Sequence, residues 1–380
     1  MDTSSEMIHS LLPVFLVSVL GASVTFVGLV EGLAEATASI TKVFSGTLSD
    51  SLGKRKQLVV LGYGLAALTK PLFALAPTVG WVLGARLADR VGKGIRGAPR
   101  DALLADLTPP EVRGAGFGLR QTLDTVGAFA GPLLAIATMS VSGGSFRTVF
   151  WLAVVPAVLC VAVLLLFVRE PPAARAARAR SPVRSAGALG GAFWTVALVA
   201  SLFTLARFSE AFLILKVAEV GLAPAYVPLV LVLMNVAYAG CAYPAGWLSD
   251  RANRWTVVGA GAALLIAADL VLAASASVAG ALTGIVLWGV HMGCTQGLFA
   301  ALVADAASPE QRGTAFGVFN LVSGLALLAA SALAGAIWDR AGAAATFTTG
   351  AALTALAVAV ALALRAAGRL DGRPAGGSRA

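Results

Sequence analysis

Two charged segments set between hydrophobic runs occur twice in this chain, about two hundred residues apart. Gly46, Leu48 and Asp50 reappear as Gly246, Leu248 and Asp250. Ala102, Asp106, Glu111, Arg113 and Gly118 reappear as Ala301, Asp305, Glu310, Arg312 and Gly317. Two blocks repeating at nearly one offset imply two homologous halves that fold alike. In a membrane protein, such halves enclose a substrate site at their interface.

The sequence around the repeats calls for a membrane. Hydrophobic residues make up 58% of the chain and charged residues 12%, against roughly 25% charged in a soluble domain. A spanning helix takes about 20 mostly apolar residues. Candidate spans lie near 7–24, 26–48, 57–76, 79–105, 115–141, 147–168, 192–216, 224–247, 255–275, 279–306, 314–338 and 344–366. The expectation is an all-α integral membrane fold of about twelve helices in two pseudo-symmetric six-helix bundles. Residues 1–168 form the first bundle and 191–366 the second. The Pro- and Arg-rich stretch 169–190 is a cytoplasmic linker, and 367–380 a disordered tail.

The net charge of +9 does not point to nucleic acid. Lys54, Arg55, Lys56, Arg113, Arg178, Arg180, Arg251, Arg254 and Arg312 fall in alternate connections. That is the pattern of cytoplasmic loops. It places both termini and the linker on the cytoplasmic side of the cytoplasmic (inner) membrane. Cys160, Cys241 and Cys294 lie in hydrophobic runs and suggest neither disulfides nor a metal centre. No cofactor is expected.

The halves also align through Ser5-Glu6 and Ser209-Glu210, which stand at similar distances before Asp50 and Asp250. Ser209-Glu210 follows a long apolar lead, whereas almost nothing precedes Ser5-Glu6. The match predicts that Glu6 lies inside helix 1, whose first two or three turns would precede Met1. A short helix 1 is the alternative.

Twelve spans in two halves, a cytoplasmic central linker and Gly46-x-Leu48-x-Asp50-x-x-Gly53-Lys54-Arg55 together resemble the major facilitator superfamily. The loop after helix 2 matches that superfamily's signature, and its second copy runs from Gly246 through Asp250 and Arg251. The stretch Arg90 to Gly97 resembles the superfamily's helix 4 pattern, with Lys93 where glutamine is usual. Gly127, Gly131 and Pro132 resemble the helix 5 pattern associated with antiporters, without its final glycine. The resemblance implies secondary transport by alternating access. It implies a gating role for Asp50 and the neighbouring cations, and a packing or antiport-related role for the helix 5 motif.

Helix 4 is unusually charged. Arg86, Asp89, Arg90, Lys93, Arg96, Arg100 and Asp101 fall within an arc of roughly 140° at about 100° per residue. A charge facing lipid would cost roughly 2.5–3.5 kcal/mol or more, so the stripe must face protein or an aqueous cavity. Glu31 and Glu35 on helix 2, Asp124 on helix 5, and Glu6 and Glu210 are candidate acids. One reading is an anion site at Arg90, Lys93 or Arg96 with proton exchange at Glu31, Glu35 or Asp124. The other is a structural ion-pair network. His291 on helix 10 is a titratable candidate or a hydrogen-bonded core residue, and Asn235, Tyr238, Trp288 and Asn320 are candidate pocket residues.

The leading expectation is proton-coupled efflux of a small organic compound by a monomer, with cargo and protons as its only partners besides lipid. Uptake or exchange of an organic anion is the alternative, and an integral-membrane enzyme or a lipid flippase is more remote. Nucleotide-binding loops, metal-spaced histidine pairs and nucleophile elbows are missing from the sequence.

Overall fold

The computed structural model describes residues 1–52, 55–109, 112–169, 187, 189–251, 253–308 and 311–370. Most of the expected linker and tail therefore lies outside the described residues, as do Gly53 and Lys54. The side chains of Asp50 and Asp250 are likewise not described, although both residues fall within helices.

Among the described residues the chain is helical and has no strand. The first crossing comprises α1 (Asp2–His9), α2 (Leu12–Val14) and a π-helical turn at Phe15–Val19. Next come α3 (Val24–Leu52), α4 (Arg55–Leu75), α5 (Val79–Leu107) and α6 (Arg113–Val141). The sixth crossing is α7 (Phe146–Leu152) followed by α8 (Val154–Phe167), and the seventh is α9 (Gly191–Ala206) followed by α10 (Ala211–Glu219). The chain continues through α11 (Leu229–Arg251), α12 (Arg254–Ala274), α13 (Val278–Asp305) and α14 (Arg312–Ala366).

Nine helical segments are long and apolar enough to cross a membrane among the described residues. α14 would be about 80 Å long as one straight helix of 55 residues, far beyond a hydrocarbon core of about 30 Å. It instead turns back at Gly342, where φ is +84°, a left-handed conformation that favours glycine, and so crosses twice. α5, with 29 residues, is long enough but heavily charged. With the interrupted first crossing, these make up the twelve expected spans. α5 starts with a Thr78 cap that accepts a hydrogen bond from the Trp81 amide, and α13 with a Ser277 cap that accepts one from Gly280.

Three spans differ from the uninterrupted helices expected, the sixth only at Ala153, whose backbone keeps right-handed helical angles. In the first, Pro13 has no N–H to give the turn before it, and the helix re-forms as a π turn. In the seventh, the backbone leaves helical geometry at Arg207 and resumes only at Ala211. The freed amide of Ser209 donates to Ser331 Oγ at 3.2 Å. Irregular backbone at membrane depth is tolerated only inside protein or beside a cavity, and this break borders one.

The halves meet along α3 and α14. A Cβ on Gly28 would collide with the Ser331 carbonyl, so these backbones touch. At the end away from the basic loops, Asp339 accepts hydrogen bonds from the Val24 and Thr25 amides at 3.0 and 2.8 Å. One half thus caps a helix of the other. Matching ion pairs sit at the basic-loop ends: Arg55 with Asp106 in the first half and Arg254 with Asp305 in the second. They occupy corresponding positions of the repeat.

An N-cap carboxylate contributes about 1 kcal/mol, or roughly fivefold in an equilibrium. Asp339→Ala is therefore expected to loosen the end away from the basic loops. A cysteine introduced at Ala22, with the native cysteines replaced, should be alkylated several-fold faster in that background. An unchanged rate would show that the cap does not hold this end closed.

Candidate functional site

The charged stripe of α5 faces protein, as its cost in lipid requires. Arg86, Asp89, Arg90 and Arg96 are buried. Arg86 Nη2 pairs with Glu31 Oε2 at 2.8 Å, and Arg90 Nη1 with Glu35 Oε1 at 3.0 Å. Asp89 takes the ammonium of Lys70 from α4 at 2.8 Å, and Lys70 also donates to Ser5 Oγ at 3.1 Å. Arg96 stacks over the Tyr63 ring at 4.6 Å and approaches Asp2 at 3.9 Å. Nearer the basic-loop end, Arg120 joins Asp101 at 2.8 Å and Asp124 at 2.9 Å, and Arg100 lies 3.7 Å from Asp124.

Glu31, Glu35 and Arg90 of these pairs line a cavity of about 310 Å³ between the halves. The first half contributes Glu6, His9, Glu31, Glu35, Arg90 and Lys93. The second contributes the break at Arg207 to Glu210, together with Leu231, Asn235, Trp288 and Leu327. His9 lies 3.4 Å from Glu6 and 3.5 Å from Glu31, bridging two acids. A second cavity of about 330 Å³ shares Glu35, Arg207 and Leu327 with the first. It runs along α3 and α13 toward the basic loops and is lined by Ser39, His291, Gln296, Phe299 and Asn320 among others.

Lys93 and Arg207 stand out within this arrangement. They come from opposite halves and line one cavity, yet neither forms an ion pair among the described residues. Glu210 is likewise unpaired there. A cavity-facing cation can keep its charge in water, and it is then available to a ligand. A solute entering from the basic-loop side would meet two cations and one acid that are not held in short ion pairs among the described residues.

The other sequence candidates have definite surroundings. His291 is buried and shares a 2.7 Å hydrogen bond between Nδ1 and the Gly261 carbonyl. Gly131 lets α6 lie against Glu6 and Thr3 of α1, Gly127 approaches Asp2 and Thr3, and Pro132 sits inside α6. Arg55 also donates to the Ala102 carbonyl at 3.0 Å, and Arg251 stacks on Trp247 at 3.8 Å. Gly46, like Asp50, falls within α3.

Sequence reasoning passed over His9, Lys70 and Arg207. Their signals were present: a histidine one turn after Glu6, a lysine inside an apolar span, and an arginine interrupting one. An ionisable residue inside a membrane is a functional candidate by default.

The Major Facilitator Superfamily profile matches residues 1–330 and 196–378. The chain is 35% identical over 344 residues to an uncharacterized MFS-type transporter of Methanocaldococcus jannaschii, covering 89% of this chain and 85% of that protein. It is 30% identical over 177 residues to the multidrug resistance protein MdtH of Photorhabdus laumondii, covering 46% and 42%. A bacterial homolog of the human lysosomal transporter Spinster, solved in an inward-facing and occupied conformation, superposes with a TM-score of 0.78. Its sequence identity is 17%, over 96% of this chain and 94% of that one. The protein is a multi-pass membrane transporter in class, and the chain belongs to the Major Facilitator Superfamily.

Removing one member of a buried ion pair strands the other and costs about 3–5 kcal/mol. Arg86→Met, which leaves buried Glu31 with only the longer His9 contact, should lower the melting temperature in detergent markedly. Lys93→Met should leave it close to wild type. Equal losses would mean that Lys93 is part of the supporting network rather than free for a ligand.

Proposed function

We propose that the protein is a proton-linked secondary transporter whose cargo is a small organic anion, moved by alternating access about the central cavity. The observation that carries this reading is the pair Lys93 and Arg207, one from each half, lining the same cavity without an ion-pair partner among the described residues. An anion bridging them would connect the halves electrostatically, and its release would let them separate. Burial of such a charge-assisted contact makes it strong and specific.

Proton linkage follows from Glu210. Its carboxylate borders the same cavity and competes with a bound anion for Arg207, with which it interacts electrostatically. Protonating Glu210 removes that competitor, so proton and anion favour each other's binding. This sign of coupling belongs to co-transport, and it favours anion uptake. Proton-coupled efflux is the second reading, supported by the partial likeness to MdtH and by the Gly127, Gly131 and Pro132 motif. In both readings the basic loops face the cytoplasm, the membrane is the cytoplasmic one, and one chain carries the whole site. The gate at Asp50 and Arg55 belongs to this reading through the family resemblance.

Internal pH in proteoliposomes tests it. Anionic, neutral and cationic compounds are added outside, with empty liposomes as control. Co-transport predicts that an anion acidifies the lumen, whereas antiport with inward-moving cargo makes the lumen more alkaline. A hydrogen bond to a charged group contributes roughly 1.5–3 kcal/mol. Lys93→Gln and Arg207→Gln should therefore each weaken the apparent affinity for the anion about tenfold or more. Flux with only neutral or cationic compounds, or flux indifferent to both variants, would contradict the proposal.

A further inference from the structure

Asp269 lies on α12, fully buried in the second half. Neither carboxylate oxygen has a hydrogen-bond partner among the described residues. An ionised carboxylate in such a place would lose several kcal/mol of solvation with no return, whereas the neutral acid loses much less. Among the described residues, the elements packed around α12 offer Asp269 no paired counter-charge. On α13, His291 is committed to Gly261. Tyr238 lies on α11 one turn after the uncharged Asn235. Arg254 pairs with Asp305 at the basic-loop end, Asp339 caps α3 at the other, and Arg340 follows it there. Arg207 and Glu210 flank Phe208 and line the cavity.

Phe208 stands beside both this acid and that cavity. Asp269 Oδ2 and Phe208 Cε1 lie 2.7 and 3.1 Å from the point a Cβ on Gly350 would occupy, so acid and ring meet over one patch of α14. The ring packs against Trp288 and Phe347, with centroids 5.6 and 5.5 Å away, and also lines the cavity. It belongs to the non-helical break between α9 and α10. The Trp288 indole N–H is buried and unpartnered as well. Two orphaned polar groups therefore sit around one aromatic ring carried by the most irregular segment of its half.

We propose that Asp269 is a proton-holding site of the second half, kept as a neutral carboxylic acid behind Phe208 and opened to cavity water when the 207–210 break rearranges. With the ring in place, the O–H bond is sequestered. With the ring displaced, the proton passes to water, leaving a carboxylate, and a proton taken from water on return restores the acid. A role for Asp269 in transport rests on the proton-linked reading above, but its protonation and its gating by Phe208 do not.

Infrared spectroscopy on the full chain in lipid nanodiscs at neutral pH tests this directly. Wild type, Asp269→Asn and Phe208→Ala are compared in H2O and D2O. Asp269→Leu, whose side chain suits the apolar site, is a second variant if Asp269→Asn does not fold. The expected result is loss of a protonated-carboxyl C=O band in the Asp269 variants. In wild type that band should shift slowly in D2O, and in Phe208→Ala much faster. An unchanged carboxyl region in the Asp269 variants, or identical exchange with and without the Phe208 ring, would overturn the proposal. In proteoliposomes, Asp269→Asn should lower the protons moved per anion. A wild type that moves no protons with any compound would defeat the proton-linked reading and leave the infrared result standing. An unchanged proton-to-anion ratio in Asp269→Asn would remove Asp269 from the transport cycle.

Discussion

A charge inside a bilayer must be paired, hydrated or neutralised, and this constraint organises the molecule. α5 carries a row of charges that lipid would not accept. Its arginines are held by Glu31 and Glu35 of α3, and its Asp89 by Lys70 of α4. Those pairs fix the rotation and depth of α5 against its neighbours. They also define the cavity, because the wall is made of the faces on which the pairs stand. The charges that the network does not absorb, Lys93, Arg207 and Glu210, are the ones that face space between the halves.

The same constraint explains why the seventh crossing is broken. An arginine and a glutamate three positions apart in an apolar span could not both be accommodated on a lipid-facing helix. Placing the break at the cavity hydrates both side chains and brings Phe208 against the core of Trp288 and Phe347. The seam of α3 on α14 does complementary work. Close backbone approach at Gly28 and the cap from Asp339 hold the halves together at one end. The cavities run toward the other. That asymmetry is what a rocking transporter needs in one of its two states.

Much of this was legible in the sequence, for identifiable reasons. The repeat and the apolar periodicity predicted twelve crossings, and the arc of charges on helix 4 predicted a protein-facing stripe. Acids on helix 2 were named among its candidate partners, with Asp124 on helix 5 and with Glu6 and Glu210. Which acid meets which base was not legible, because that depends on the relative depth of α3 and α5. The break at Arg207 was hidden by the hydrophobic residues on both sides of it, and Asp269 by being a single acid in an apolar run. The signature from Gly46 to Arg55 lies partly outside the described residues, so its gating role still rests on resemblance.

A structure of the protein with a transported anion bound would test the central claim most directly. The account predicts the anion's oxygens within hydrogen-bonding distance of both Lys93 and Arg207, with the Arg86–Glu31 and Arg90–Glu35 pairs intact. An anion seated away from both cations, or one that displaces Glu31 or Glu35 to reach the buried arginines, would contradict it.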